Sequence, residues 1–292
     1  MNSKDIRKKI GTVENVKKIT NAMQMVSAVK MKKAQKIALE GRLYRTMLDQ
    51  ILQRILRNSS ETMSLNIPWL TESEGTKELY ILIASNKGLC GSFHTNLFKH
   101  IFSHLNASSA DEFITIGKKG ADFVSLTKRS ILADFSDQDL SDSVSPVFSL
   151  IEEKFLSGEY KAIYIVYNKF ISSLKSEPTI AQLLPVKDVT PLENLSEGEK
   201  KQTETQDYLI EPSVEELLGP LVEDYVKEKI RSALADSEAS EHSARMLAMK
   251  NATDSAGEIV HSLTLLRNKI RQSQITNELL DMIAAKESTD AN

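Results

Sequence analysis

The sequence predicts an α/β protein with long α-helical arms, and two observations carry that class. All seven prolines, Pro68 through Pro220, lie in the middle of the 292 residues. Proline inside a helix removes a backbone hydrogen bond and clashes with the preceding turn, at about 3 kcal/mol, so the two proline-free flanks are free to be long helices. Both flanks also carry apolar residues at alternating spacings of three and four. In the first they are Ala34, Ile37, Gly41, Tyr44, Leu48, Ile51 and Ile55; in the second, Met249, Ala252, Ala256, Ile259, Leu263, Leu266 and Ile270. That spacing keeps a narrow stripe facing a partner helix, as in a coiled coil.

The first arm takes residues 1–57, and the second, proline-free from Leu221, takes 213–287 with its lead-in. At 1.5 Å per residue the helices Ile6–Leu56 and Leu221–Lys286 span roughly 75 and 100 Å, far beyond an average globular helix. The chain leaves one arm, makes a middle domain and returns into the other, so the arms are expected to pair antiparallel. The last ~15–20 residues of the longer arm then project past Met1.

Between the arms, over 75–210, short apolar runs alternate with amphipathic segments. Glu78–Ser85, Phe113–Ile116 and Ala162–Tyr167 read as strands, with Thr179–Val186 as an edge strand bracketed by Pro178 and Pro185. Phe93–Leu105, Gly120–Leu126 and Pro146–Leu156 read as helices, the last with proline in its first turn. Such alternation builds an α/β layer structure. Residues 188–207 are polar and read as an exposed loop.

Charge is uneven beneath a net −3. From Lys4 to Arg57 the only acidic residues are Asp5, Glu14, Glu40 and Asp49, against many lysines and arginines. A basic helix suits an acidic partner. Nucleic acid is one such partner, but Lys30, Lys32, Lys33 and Lys36 have no stacking aromatics among them, and the face reads as solvated. Methionines 23, 25 and 31 read as adaptable packing. The start MNSKDIRKKI has no apolar core of signal-peptide length, and no window approaches a membrane span. The single cysteine, Cys90, fits a reducing compartment.

Catalytic chemistry finds little support. Ser85–Gly91 (SNKGLCG) lies between a strand and a helix, but it has neither a Walker A spacing nor the three-glycine dinucleotide fingerprint. It reads as a tight turn. Cys90 and His94 stand one helical turn apart, the spacing of a nucleophile and base, with no third group placed by the sequence. His94, His100, His104, His242 and His261 form no metal-binding set. The reading is therefore no catalytic residues, no cofactor and no metal. More informative is Ser240–Lys286, where Arg245, Lys250, Asn251, Asp254, Asn268, Arg271, Gln272 and Thr276 crowd seam-adjacent positions. Amides, arginines and a threonine, where a plain coiled coil carries interchangeable Glu and Lys, point to specified contacts with another protein.

Four collinear blocks carry a family resemblance: Ile19–Gln35 (ITNAMQMVSAVKMKKAQ), Ser85–Phe93 (SNKGLCGSF), Asp207–Pro212 (DYLIEP) and Ser240–Asp281. They resemble the γ subunits of F-type ATP synthases, of bacterial type, over essentially the whole chain. The resemblance implies an antiparallel coiled coil of N- and C-terminal helices plus a central Rossmann-like α/β domain. It implies a non-catalytic rotor turning inside an α3β3 ring, with the ε subunit and the c-ring as further partners. The location it implies is peripheral, on the cytoplasmic face of a bacterial inner membrane. Arg271, Gln272, Thr276 and Glu278 match positions that meet the β subunits, Met23 lies in the block near acidic β-subunit loops, and Tyr208 matches a position near ε and the c-ring. Three departures stand out: Asn21 where many bacterial members have lysine, Arg267 where tyrosine is usual, and Ala285-Lys286 in place of a Gly-Ala pair. The cysteine-bearing insertion of chloroplast members is missing, so thiol regulation by that route is not expected.

Overall fold

The computed structural model describes residues 3–58, 69–71, 73, 75–105, 111–137, 143–186, 211 and 213–290. Its elements run α1 (Ser3–Asn58), β1 (Lys77–Ile83), α2 (Phe93–His104), β2 (Glu112–Ile116), α3 (Lys118–Leu126), β3 (Ser130–Asp134), α4 (Val144–Leu156), β4 (Tyr160–Ser172), β5 (Lys175–Leu184) and α5 (Val214–Asp290). The chain divides into two compact units, Val29–Ala244 and Met1–Ala28 with Arg245–Asn292, and both long helices run through the division.

In the larger unit five strands form one sheet in the order β3-β2-β1-β4-β5. β1 to β4 are parallel, and β5 returns antiparallel along β4. Parallel strands joined through helices are covered on both faces, and their sequences become continuous apolar runs. Alternate β1 residues divide accordingly. Leu79, Ile81 and Ile83 join a core with α4, Leu48, Leu52 and Ile55 of α1, and Leu218–Leu234 of α5. Tyr80 and Leu82 face the opposite core, with Leu97 and Ile101 of α2 and Val124 of α3.

Four boundaries differ from the sequence reading. Strand β3 was not foreseen: Ser130–Asp134 is half-exposed and only five residues long, too brief for a period to show. β4 extends past Tyr167 to Ser172, and β5 begins at Lys175, so the hairpin is longer than the apolar runs marked. Pro178 sits inside β5 opposite Asn168, which an edge strand tolerates because one side of it carries no ladder. Helix α5 begins before Pro220. Ser213 caps it, its Oγ accepting from the Glu216 N–H at 3.3 Å. The cap and the burial of Leu218 and Val222 outweigh the proline's missing bond.

The helical stripe is real but one position out of phase at every second contact. In the part of α1 within the larger unit, Met31, Ala34, Ala38, Leu48, Leu52 and Ile55 are buried, and Gly41 and Arg45 half-buried. Ile37 and Tyr44, read as seam positions, are exposed, and Ile51 is half-buried. α5 behaves alike in the smaller unit. Met249 and Ala256 are buried, with Thr253, Val260, Leu263, Arg267 and Ile270 half-buried, whereas Ile259 is 49% exposed and Leu266 41%. The true seam takes a step of four where the reading took three. The exposed neighbour was the more apolar residue in several cases, which is why the sequence favoured it.

Candidate functional site

The smaller unit holds the ends of both long helices. Its packing is antiparallel: Thr20 and Thr253 share a hydroxyl hydrogen bond of 2.7 Å, while Lys17, one turn earlier in α1, lies over Gly257, one turn later in α5. Ile6 is fully buried and Ile10 nearly so, followed by half-buried Val13 and then, at steps of seven, by buried Thr20 and Ser27. Small and hydroxyl side chains thus fill the middle of this seam, and they satisfy their polar atoms locally. Ser27 Oγ donates to the Met23 carbonyl at 2.8 Å, and Thr253 Oγ1 has the Met249 carbonyl at 2.8 Å.

Past Ile270 no described residue buries α5. Every side chain from Arg271 to Ile283 is exposed. Arg271, Ile275, Glu278 and Met282 follow one another at four, three and four residues, a single face of a helix. Gln272, Thr276, Leu279 and Ile283 form the adjoining face. Thr276 Oγ1 donates to the Gln272 carbonyl at 2.9 Å, and both side chains are exposed. Ile275, Leu279, Leu280, Met282 and Ile283 are 49–61% exposed. Sequence reading singled out the polar members and missed these apolar ones, although the three-four spacing continuing beyond Ile270 was the available signal.

The other expected site residues fall elsewhere. Met23 is half-buried on α1, and Asn21 beside it is exposed. Lys30, Lys32, Lys33 and Lys36 are exposed, Lys36 bridging to Glu40 at 3.6 Å. Tyr208, the DYLIEP block but for Glu211, and the loop 188–207 lie outside the described residues, as do the side chains of Ala285 and Lys286.

The glycine turn after β1 has a clear structural task. Asn86 Oδ1 accepts from the first backbone N–H of α3, at Lys118 (2.8 Å), and its Nδ2 donates to the Ser136 carbonyl after β3 (3.0 Å). The next α3 amide, at Lys119, donates to the Ser85 carbonyl at 3.1 Å. The amides that greet a phosphate in nucleotide-binding folds are here used to tie the ends of β1, β2 and β3 together. Ser85 also supplies the third group that the sequence did not place beside Cys90 and His94. Its hydroxyl donates to the Lys87 carbonyl at 2.7 Å, so toward His94 Nε2, 2.8 Å away, it accepts. Nε2 therefore carries a ring proton, and Nδ1 lies 3.3 Å from the Cys90 sulfur. Cys90 is buried, which suits a packing and bridging role.

Two long helices packed on a mostly parallel five-stranded sheet, with the α5 side chains exposed from Arg271 to Ile283, define the class of fold. The chain belongs to the ATP synthase family, whose match covers residues 2–288. Its relatives there are γ chains. The ATP synthase gamma chain of Opitutus terrae is 36% identical over 97% of both chains, and that of Pelotomaculum thermopropionicum 34% over 96% of both. Solved structures share the fold. A chain of the mitochondrial ATP synthase of Euglena gracilis superposes with a TM-score of 0.64 at 18% identity, covering 99% of this chain and 95% of that one. A central stalk/c-ring chain from Tetrahymena thermophila gives 0.58 at 24% identity, covering 80% and 99%. No described helix is long and apolar enough to cross a membrane.

Proposed function

We propose that this chain is the non-catalytic central-stalk rotor of an F-type ATP synthase. It couples ion flow through the membrane c-ring to ATP synthesis or hydrolysis at β subunits by turning inside the α3β3 ring. The observation that carries the reading is the near full-length likeness to bacterial γ chains, and the exposed end of α5 from Arg271 onward supports it. An asymmetric helix pair within a ring of like subunits gives each β subunit a different face to meet. Rotation then exchanges those faces, and nucleotide affinity follows shaft angle. Such linkage requires only that contacts differ between conformations.

Within that reading, Arg271, Gln272, Thr276 and Glu278 grip the β subunits, Met23 lies near acidic β loops, and Tyr208 meets the ε subunit and c-ring. The protein sits peripherally on the cytoplasmic face of the bacterial inner membrane. Co-expression with α and β chains tests the whole. The purified chain is expected to have no ATPase activity alone and to co-assemble into a hydrolysing complex; turnover by the lone chain, or no co-assembly, would refute the rotor.

A further inference from the structure

β4 pairs with β1 only as far as Val166. Its remaining residues, Tyr167–Ser172, run on with β5 alone as their strand partner. Six residues at about 3.3 Å each make a two-stranded ribbon overhanging the sheet by about 20 Å. A two-stranded ribbon is marginal by itself in water, so something must hold it. The holding groups are on the two long helices. Phe170 is 8% exposed and packs in one cluster with Ala34 of α1 and Ala239 of α5, two alanines whose small side chains leave room for the ring. Ser240 Oγ of α5 donates to the Asn168 carbonyl at 3.1 Å, and Ser243 Oγ, nearly one turn on, donates to the Ser173 carbonyl in the hairpin turn. Asn168 is itself buried, its Nδ2 donating to the Phe93 carbonyl at the start of α2. Toward the turn, Ile171 and Leu174 are 48% and 77% exposed, so Phe170 is the buried apolar residue at this end of the ribbon.

The helices already join the sheet through Leu48, Leu52 and Ile55. Ala34 is fourteen residues before Leu48, about 21 Å along α1. Two attachments that far apart resist tilting and twisting in a way that one does not. We propose that the overhanging β4–β5 ribbon is a strut that fixes the helix pair to the α/β body at a second point, with Phe170, Ser240 and Ser243 as its positioning residues. Given the rotor reading, the strut stiffens the joint through which rotation passes.

The test uses the assembled complex carrying Ser240→Ala with Ser243→Ala, and separately Phe170→Ala. Hydrogen exchange of amides 167–178 should quicken about tenfold or more, the opening expected when two anchoring hydrogen bonds are lost. With the ring immobilised, a probe on the α/β body should show a broader angular distribution, while ATP turnover per complex stays near wild type. Unchanged exchange in both variants would overturn the anchoring, and faster exchange with an unchanged angular distribution would overturn the strut. A wild-type complex whose probe does not turn at all would instead overturn the rotor reading, and that result appears before any substitution is made.

Discussion

Gly117 shows how much one backbone position can require. Its φ of +103° is a conformation that L side chains rarely adopt, and a Cβ there would lie 2.4 Å from the Ala84 carbonyl oxygen. Gly117→Ala should therefore lose stability by roughly 1–3 kcal/mol from backbone strain, and more from the clash. A urea melt of the isolated chain reads this directly, and an unchanged midpoint would mean that the turn relaxes freely. Arg271 and Gln272 present the opposite case, residues with no fold to support. Alanine at both should leave that melt unchanged. Under the proposed contact with the ring, losing one charge-assisted hydrogen bond weakens binding by about 1.5–3 kcal/mol, so assembly or the coupling of hydrolysis to ion pumping should fall. A destabilised free chain with normal coupling would make them folding residues. Cys90→Ala removes one thiol from a hydrogen-bonded chain that ends at Ser85 and Lys87. It should cost some stability and leave hydrolysis by assembled complexes nearly intact; loss of turnover in well-assembled complexes would revive a catalytic role.

At the scale of elements, the corrected seam separates neighbours that the apolar spacing confounded. Leu52 is fully buried, so Leu52→Ala should destabilise by about 2–5 kcal/mol through lost burial and a cavity. Ile259, half-exposed and off the seam, should tolerate alanine within about 0.5 kcal/mol. Equal effects of the two substitutions in thermal or denaturant unfolding would contradict the phase assigned here. Much of the seam is small or polar because close helix approach demands it. At Gly41 a Cβ would sit 3.0 Å from Glu228 Oε1, and that buried carboxylate is ion-paired with Arg231. Hydropathy alone ranks such positions low, so the more apolar residues beside them took their place in the reading. The elements with strong local signals came out within a few residues: β1, α2, β2, α3 and α4 all lie where apolar period and turn residues put them.

For the whole molecule, the base of the sheet gives a pH-dependent term. Glu112 at the start of β2 accepts from Tyr160 Oη at 2.6 Å and pairs with Lys77 Nζ at 3.0 Å; Lys77 also reaches Glu159 at 3.6 Å. The tyrosine hydrogen bond first, and then Lys77, hold the Glu112 carboxyl below the usual carboxylate range. A depressed folded pKa contributes stability above the unfolded value, and that contribution disappears as pH falls through the folded value. The melting temperature should therefore drop on acidification below the ordinary glutamate range, and Glu112→Gln should reduce the slope of that drop. An identical acid profile for the variant would assign the effect to other carboxylates.

The sequence by itself determined what depends on covalent order and local preference. Two proline-free stretches with three-four apolar spacing had to be long helices, alternating runs between them had to make an α/β layer, and four collinear blocks pointed to one family. The family resemblance, carried by those blocks, names Arg271, Gln272, Thr276 and Glu278 as the proposed grip, and all four side chains are exposed. Tertiary structure decided what depends on which surfaces meet. Phase along the seam was set by where a small residue lets a second helix approach, and the length of the β4–β5 ribbon by Ser240, Ser243 and two alanines far away in sequence. The task of Asn86 was set by an α3 amide thirty-two residues on. These are long-range pairings between groups whose local sequence is unremarkable in hydropathy, so no window of the chain contains them.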